Sequence, residues 1–322
     1  MSKKGSTLIK RRLGRTGFEV APLAFGGNVF GWTVDEPTSF RLLDAFVDAG
    51  FNLIDTADSY SRWAPGHQGG ESETIIGRWI ARRGRHDDIV IATKVGSDMG
   101  LGYKCLRKDY ILQAVEQSLK RLQVQAIDLY QSHWDDDKTP LDETLEAYAD
   151  LIRQGKVKSI GASNLTAERL AQAVDVSKRR GLPRYGTLQP LYNLYDRSTF
   201  EGPLQELCVR EQIGVITYFS LAAGFLTGKY RSEADFAKSP RGAGMGKYLN
   251  ARGLRILAAL DDVSRQSNAT PAQAALAWLI ARPGVTAPIA SATSIAQLTE
   301  LIAATRIELG RDAMLLLDQA SA

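Results

Sequence analysis

The chain has 322 residues, 44% of them hydrophobic and 24% charged, with a formal net charge of +4. That balance excludes a disordered or fibrous protein and supplies enough apolar surface for a large core. The pI near 9.0 leaves nucleic-acid binding open, yet the basic residues are spread along the chain and form no stripe, so that reading rests on charge alone.

The basic start MSKKGSTLIKRRLG holds no apolar run of the secretory kind. No later stretch approaches the ~18 apolar residues of a membrane span. A cytoplasmic protein with no membrane or nucleic-acid partner is expected. Cys105 and Cys208 stand apart, without metal-ligand spacing, and read as small buried hydrophobes.

In chain order, short apolar runs alternate with amphipathic stretches. The predicted strands are APLAFGG from Ala21, FNLID from Phe51, DIVIATK from Asp88, AIDLYQSH from Ala126, VKSIGAS from Val157, GTLQP from Gly186, GVITYF from Gly214 and VTAPIA from Val285. A first helix is predicted from Pro37 to Gly50, with Phe40, Leu43 and Val47 inward. Ile111, Val115, Leu119 and Leu122 mark the apolar face of another, and Leu141, Leu145, Tyr148, Ala149 and Ile152 that of a third. Thr139 before Pro140, and Thr270 before Pro271 with Gln273 following, read as N-caps.

Strand-then-helix alternation argues for a parallel sheet, because parallel neighbours need crossover connections. Eight units with no compositional break predict an α/β fold, a (β/α)8 TIM barrel forming a single domain over residues 1–322, with an open doubly wound sheet as the alternative. The longest irregular stretch follows the seventh strand, from Ser220 to about Asn250, and is rich in glycine and basic residues. A connection of that length is usually a functional loop or a mobile insertion.

Unusual polar residues fall at the carboxyl ends of predicted strands: Asp55, Lys94, His133, Asn164, Gln189 and Tyr218. In a parallel barrel those ends open onto one face, where barrel enzymes build their sites. Taken singly, Asp55 could cap a turn, Lys94 could be a solvated strand end and His133 a satisfied core histidine. Taken together, a lysine and an aspartate on inner strands are costly to desolvate unless paired.

Six motifs carry a resemblance: DTADSY (Asp55 to Tyr60), ATK (Lys94), QSHW (His133), GASN (Gly161 to Asn164), QPLYN (Gln189 to Asn193) and LTGKY (Leu226 to Tyr230). In this order, from about Lys10 to Leu301, the chain resembles the aldo-keto reductases, most closely the bacterial branch related to potassium-channel β subunits. The resemblance implies an NADPH-dependent reductase of aldehydes or ketones with a catalytic tetrad of Asp55, Tyr60, Lys94 and His133. Reduction of a carbonyl develops alkoxide charge, so the site must donate a proton. A free tyrosine has a pKa of about 10; Lys94, held by Asp55, is expected to favour the phenolate and make Tyr60 the better general acid. His133 in its neutral form suffices to orient the carbonyl oxygen.

The same resemblance implies a cofactor path. Ser163, Asn164 and Gln189 would hold the nicotinamide carboxamide, and Tyr218 would stack on the ring. Phe219, Ser220, Leu221, Ala223 and Gly224, with Lys229 and Arg241, would follow the phosphates, and Gly27 would allow close backbone approach. Ser291, Thr293, Ser294, Gln297 and Glu300 would carry the adenosine 2′-phosphate at a helix N-terminus. Ser294 with Gln297 also fits a capping box that needs no ligand. Two departures leave NADH open: the family usually has glycine where Ser291 stands and often a cation where Ser294 stands. Ser220 replaces a common proline. No GxGxxG follows the first strand, which argues against a Rossmann fold.

Trp32, Trp63 and Trp134 follow the first, second and fourth strands and are expected to wall an apolar substrate pocket. Loop packing is their alternative role. Trp79 and Trp278 lie in helices and read as core. His67 has no second histidine at ligand spacing, so no metal is expected. A nicotinamide-binding regulatory or redox-sensing subunit with little turnover is the competing function.

Overall fold

The computed structural model describes residues 8–322. The first seven residues of the basic N-terminal stretch lie outside the described residues. Ten strands and ten α-helices follow. β1 (Arg11–Arg12) and β2 (Glu19–Val20) pair antiparallel as a small hairpin. The other eight strands are parallel: β3 (Ala24–Gly26), β4 (Leu53–Asp55), β5 (Val90–Val95), β6 (Ile127–Ser132), β7 (Val157–Ser163), β8 (Thr187–Gln189), β9 (Gly214–Thr217) and β10 (Val285–Ala290). They close into a barrel in which β10 pairs with both β3 and β9. Every predicted strand overlaps one of them, β5 running one residue past the predicted Lys94 end, and the predicted TIM barrel is the observed fold.

The helices follow from local chemistry. α1 (Glu36–Asp48) starts at Asp35, whose carboxylate accepts from Thr38 N at 2.9 Å, with proline in the first turn. Its buried face is Ser39, Leu42, Leu43 and Phe46; Phe40 and Val47 sit at the margin, and Phe40 takes the Arg82 guanidinium over its ring. The inward stripe is therefore rotated from the predicted one. α2 (Glu71–Arg83) crosses α3 (Lys108–Leu122) closely, because Gly77 leaves room for the backbone at Arg121 and Leu122. On α3 and on α4 (Leu141–Arg153) the predicted faces are largely buried, Leu119, Leu141, Ala149 and Ile152 lying at the edges. Thr139 does not cap α4. Its hydroxyl donates to Asp136 at 2.6 Å, and Pro140 occupies the cap position. α8 (Pro271–Ile280) carries the full capping box of Thr270 and Gln273.

Two cores result. Between barrel and helices pack the large side chains, including Trp79 and Trp278, both fully buried. Cys105 and Cys208 are buried and free. Inside the barrel, Ala24, Leu53, Val90, Ala92, Leu129, Ile216, Ala287 and Ile289 meet Leu13 and Val20 of the hairpin. The hairpin thus stoppers one end. Gly14, at φ +54°, lets it sit against β8 and β9, since a methyl group there would run into the Gly186 carbonyl and the Gly214 amide. The stretch after β9 is less irregular than predicted: it winds through three 3₁₀ segments, Ala222–Thr227, Glu233–Lys238 and Gly242–Lys247, before α7 (Ala251–Ser267).

Candidate active site

At the carboxyl ends of β4 and β5, Asp55 and Lys94 are side by side and fully shielded from solvent. Lys94 Nζ donates to Asp55 Oδ2 at 2.7 Å, to the Thr56 carbonyl at 2.8 Å and to Tyr60 Oη at 2.8 Å. All three ammonium protons are placed, which is what makes a buried charge tolerable. Tyr60, on the loop after β4, donates to Asp55 Oδ2 at 3.1 Å. Gln189 Nε2 at the end of β8 donates to the other carboxylate oxygen at 2.8 Å, with Gln131 Nε2 3.5 Å away.

His133 follows β6, and its ring centre lies 6.0 Å from that of Tyr60. Its Nδ1 is 2.9 Å from Ser97 Oγ and 3.4 Å from Ser59 Oγ. Burial, and then the positive charges of Lys94 and Lys104, push the imidazole well below its ordinary value, so the ring is neutral. The Tyr60 phenol moves the other way: burial first and the Asp55 carboxylate second hold it well above 10. Lys94 itself is lowered by burial, with Asp55 opposing. Burial leads this shift, and the Asp55 carboxylate at 3.1 Å offsets the Lys94 ammonium at 2.8 Å, so Lys94 does not bring the free phenol below its ordinary value as expected. Tyr60 is a protonated phenol at neutral pH.

A second buried carboxyl lies behind this cluster. Asp58 is shielded from solvent, and its Oδ1 has no hydrogen-bond partner. Burial and the neighbouring Glu73 carboxylate raise it to about 8, opposed by Arg121 and Lys94. Glu73 in turn accepts from Thr93 Oγ1 at 2.5 Å and from Arg121 Nε at 2.7 Å.

The residues expected along the cofactor form a continuous belt. Ser163 Oγ donates to the Gln189 carbonyl at 2.8 Å, Asn164 Nδ2 to Ser163 Oγ at 3.0 Å, and Tyr218 Oη to Asn164 Oδ1 at 2.7 Å. Beyond β9 the backbone is left-handed at Phe219, Ala222, Ala223 and Gly224, with φ of 50°, 48°, 55° and 104°. Such a run in non-glycine residues stores strain and is a mark of functional loops. Leu221 sits within it, partly buried, and the Ser220 hydroxyl turns back to the Thr217 carbonyl at 3.0 Å. Lys229 Nζ lies 5.1 Å from the Tyr230 ring centre. Arg241 reaches across to Trp32, its guanidinium 5.5 Å from that ring. Among the described residues neither side-chain cation has a carboxylate partner.

At the end of β10, Ser291 Oγ donates to Asn28 Oδ1 at 2.6 Å, and Ser291 also fills the space beside Gly26. Gly27, next in the chain, is buried and begins a short 3₁₀ turn. Ser294 caps α9 (Ile295–Ala304), accepting from Gln297 N at 3.3 Å. The reciprocal half differs from the predicted box: Gln297 Oε1 accepts from Thr293 N at 2.8 Å and from Thr293 Oγ1 at 3.0 Å. Glu300 is engaged elsewhere, accepting from Thr270 Oγ1 at 2.6 Å.

The three tryptophans gather at the same mouth. Trp32 and Trp63 meet edge-on at 5.6 Å, Trp63 lies 5.9 Å from Tyr60, and Trp134 stacks on His133 at 5.8 Å. Thr56, Ser59, Ser97, Gln131 and Asn28 escaped the sequence reading. Gln131 and Ser97 had a signal, since both lie at or just past the carboxyl end of a strand. Among the described residues, no group of three or more His, Cys, Asp or Glu could hold a metal ion, and no helix is long and apolar enough to cross a membrane.

A parallel eight-stranded barrel with a Lys–Asp–Tyr cluster and a neutral histidine at its carboxyl face defines an oxidoreductase barrel. The profile of the aldo/keto reductase family matches residues 22–322, and the chain belongs to that family. It is 36% identical over 315 residues to the uncharacterized oxidoreductase YrpG of Bacillus subtilis (strain 168), covering 95% of this chain and 94% of the relative. It is 33% identical over 328 residues to protein tas of Escherichia coli (strain K12), 94% of each being covered. A probable voltage-gated potassium channel subunit beta of Arabidopsis thaliana is 32% identical over 298 residues, with 90% of this chain and 89% of the relative aligned.

Proposed function

We propose that this oxidoreductase reduces aldehydes or ketones to alcohols with NADPH, Tyr60 giving the proton. The observation that carries the reading is the Tyr60 hydroxyl, held between Lys94 Nζ at 2.8 Å and Asp55 Oδ2 at 3.1 Å beside a neutral His133. The bound cofactor supplies the hydride. As alkoxide charge grows on the substrate oxygen, the protonated phenol delivers its proton, and Lys94 stabilises the phenolate left behind. In the tautomer whose Nδ1 accepts from Ser97, 2.9 Å away, His133 carries its proton on Nε2 and positions the carbonyl oxygen.

The residues present fit a dinucleotide. Ser163, Asn164 and Gln189 offer amide and hydroxyl groups side by side for the carboxamide, and Tyr218 offers a ring face. The strained turn from Phe219 to Gly224, with the carboxylate-free Lys229 and Arg241, suits a diphosphate. Ser291, Thr293, Ser294 and Gln297 at the start of α9 suit a 2′-phosphate through amides and hydroxyls in place of a cation. Glu300, tied to Thr270, acts through the position of that helix.

The test is fluorescence titration with NADPH and NADH, followed by oxidation of the tighter one against a panel of aldehydes and ketones. Tighter NADPH binding with multiple turnovers is expected. Equal binding of both would move the cofactor assignment to NADH as well. Binding without turnover on any carbonyl would favour a regulatory or sensing subunit, and failure to bind either would overturn the reading.

A further inference from the structure

The aromatic residues of the mouth form a continuous arc. Trp32 touches Trp63, Trp63 touches Tyr60, Tyr60 faces His133, and His133 stacks on Trp134 with 16° between the planes. Lys104, on the loop between β5 and α3, ends the arc with its ammonium 4.3 Å from the Trp134 ring centre. The ammonium is therefore within about 10 Å of the His133 ring centre, the two separations taken end to end. Lys104 is exposed and makes no hydrogen bond or ion pair among the described residues. Its neighbours are engaged: Arg62 donates to the Asp98 carbonyl and Arg107 pairs with Asp109 at 2.5 Å. At the arc's other end Arg241 covers Trp32, and the reading above assigns it to the cofactor phosphates.

A cation resting on an aromatic face keeps its charge available while its side chain is held by the ring. A substrate whose carbonyl sat between Tyr60 and His133 would extend past Trp134 toward Lys104. We infer that the carbonyl substrates of this site carry an anionic group, a carboxylate set about one aromatic ring from the carbonyl, and that Lys104 selects for it. The inference rests on the reductase reading. Lys104 acts through its charge on the carboxylate and takes no part in the proton or hydride steps.

The experiment compares 4-carboxybenzaldehyde with its neutral isostere 4-carbamoylbenzaldehyde, in the wild type, Lys104→Gln and Lys104→Glu. The wild type should favour the carboxylate by about tenfold in kcat/KM, mostly through KM, and added salt should erode the preference. Lys104→Gln should bring the ratio near one and Lys104→Glu should invert it. Because each ratio is taken within one enzyme, a general loss of activity cancels. A wild-type ratio at or below one, or a ratio that survives in Lys104→Gln, overturns the inference and leaves the reductase reading intact. Absence of turnover on both aldehydes and on every other carbonyl tried, with either cofactor, strikes the reductase reading itself.

Discussion

Gln189 and Asp55 are joined across the inside of the barrel mouth, the amide Nε2 of one donating to Oδ1 of the other at 2.8 Å. The bond ties β8 to β4, on strands that do not neighbour each other. It divides the carboxylate between two tasks. One oxygen is held by amides, and the other holds the lysine and the phenol.

The pair at the centre should therefore be hard to break from one side. Lys94→Met leaves Asp55 buried without its counter-charge and should lower unfolding stability by about 3–5 kcal/mol. The double variant with Asp55→Asn should recover most of that loss. Urea denaturation of the three proteins measures it, and a single-variant loss below about 1 kcal/mol would mean that water or rearrangement already compensates the carboxylate.

Tyr60→Phe removes the hydroxyl and keeps the ring against Trp63 and His133. Turnover should fall by about two to four orders of magnitude, while the Kd for NADPH changes little. Steady-state kinetics with fluorescence titration separates the two, and near-normal kcat would remove Tyr60 from the proton step.

Asp58 gives the protein a pH signature. Its carboxyl titrates near 8 when folded against an ordinary value of 3.8, so the native state binds the proton more tightly than the unfolded chain. The resulting stabilisation is whole below the unfolded value and is lost as pH rises towards 8. Asp58→Asn has no such dependence. Between pH 5 and pH 9 the wild type should lose stability relative to the variant by at least about 1 kcal/mol. Superimposable pH–stability curves would show that Asp58 is ionised throughout.

Ser294 has two roles that can be set against each other. Ser294→Arg places a guanidinium beside the proposed phosphate site and removes the N-cap of α9. NADPH affinity should rise about tenfold relative to NADH through a charge-assisted contact, while stability falls by about 0.5–2 kcal/mol. An unchanged cofactor ratio would move the 2′-phosphate away from α9.

Asp55, Lys94, His133 and Gln189 were legible because each sits where an apolar run stops, and strand ends in a parallel barrel share a face. Hydrogen-bond direction was not legible. The Tyr60 pKa depends first on burial and then on the nearness of Asp55, and no spacing rule carries either. The inward stripe of α1 is centred on Leu42, Leu43 and Phe46, with Phe40 and Val47 packed at its margin, because packing on α2 and the barrel sets its rotation and places Phe40 under Arg82. Thr139 looked like a cap until Asp136, three residues earlier, claimed its hydroxyl. The 3₁₀ turns after β9 lack the apolar periodicity that announces longer helices.

The hairpin of β1 and β2 lies against the end of the barrel away from the site, under an interior already filled by Leu53, Val90, Leu129 and Ile216. Tyr60 is therefore approached from the carboxyl face, where the three tryptophans gather beside it. A surface tether attached at the exposed Arg12 of β1 joins the hairpin end, away from the face that carries Tyr60.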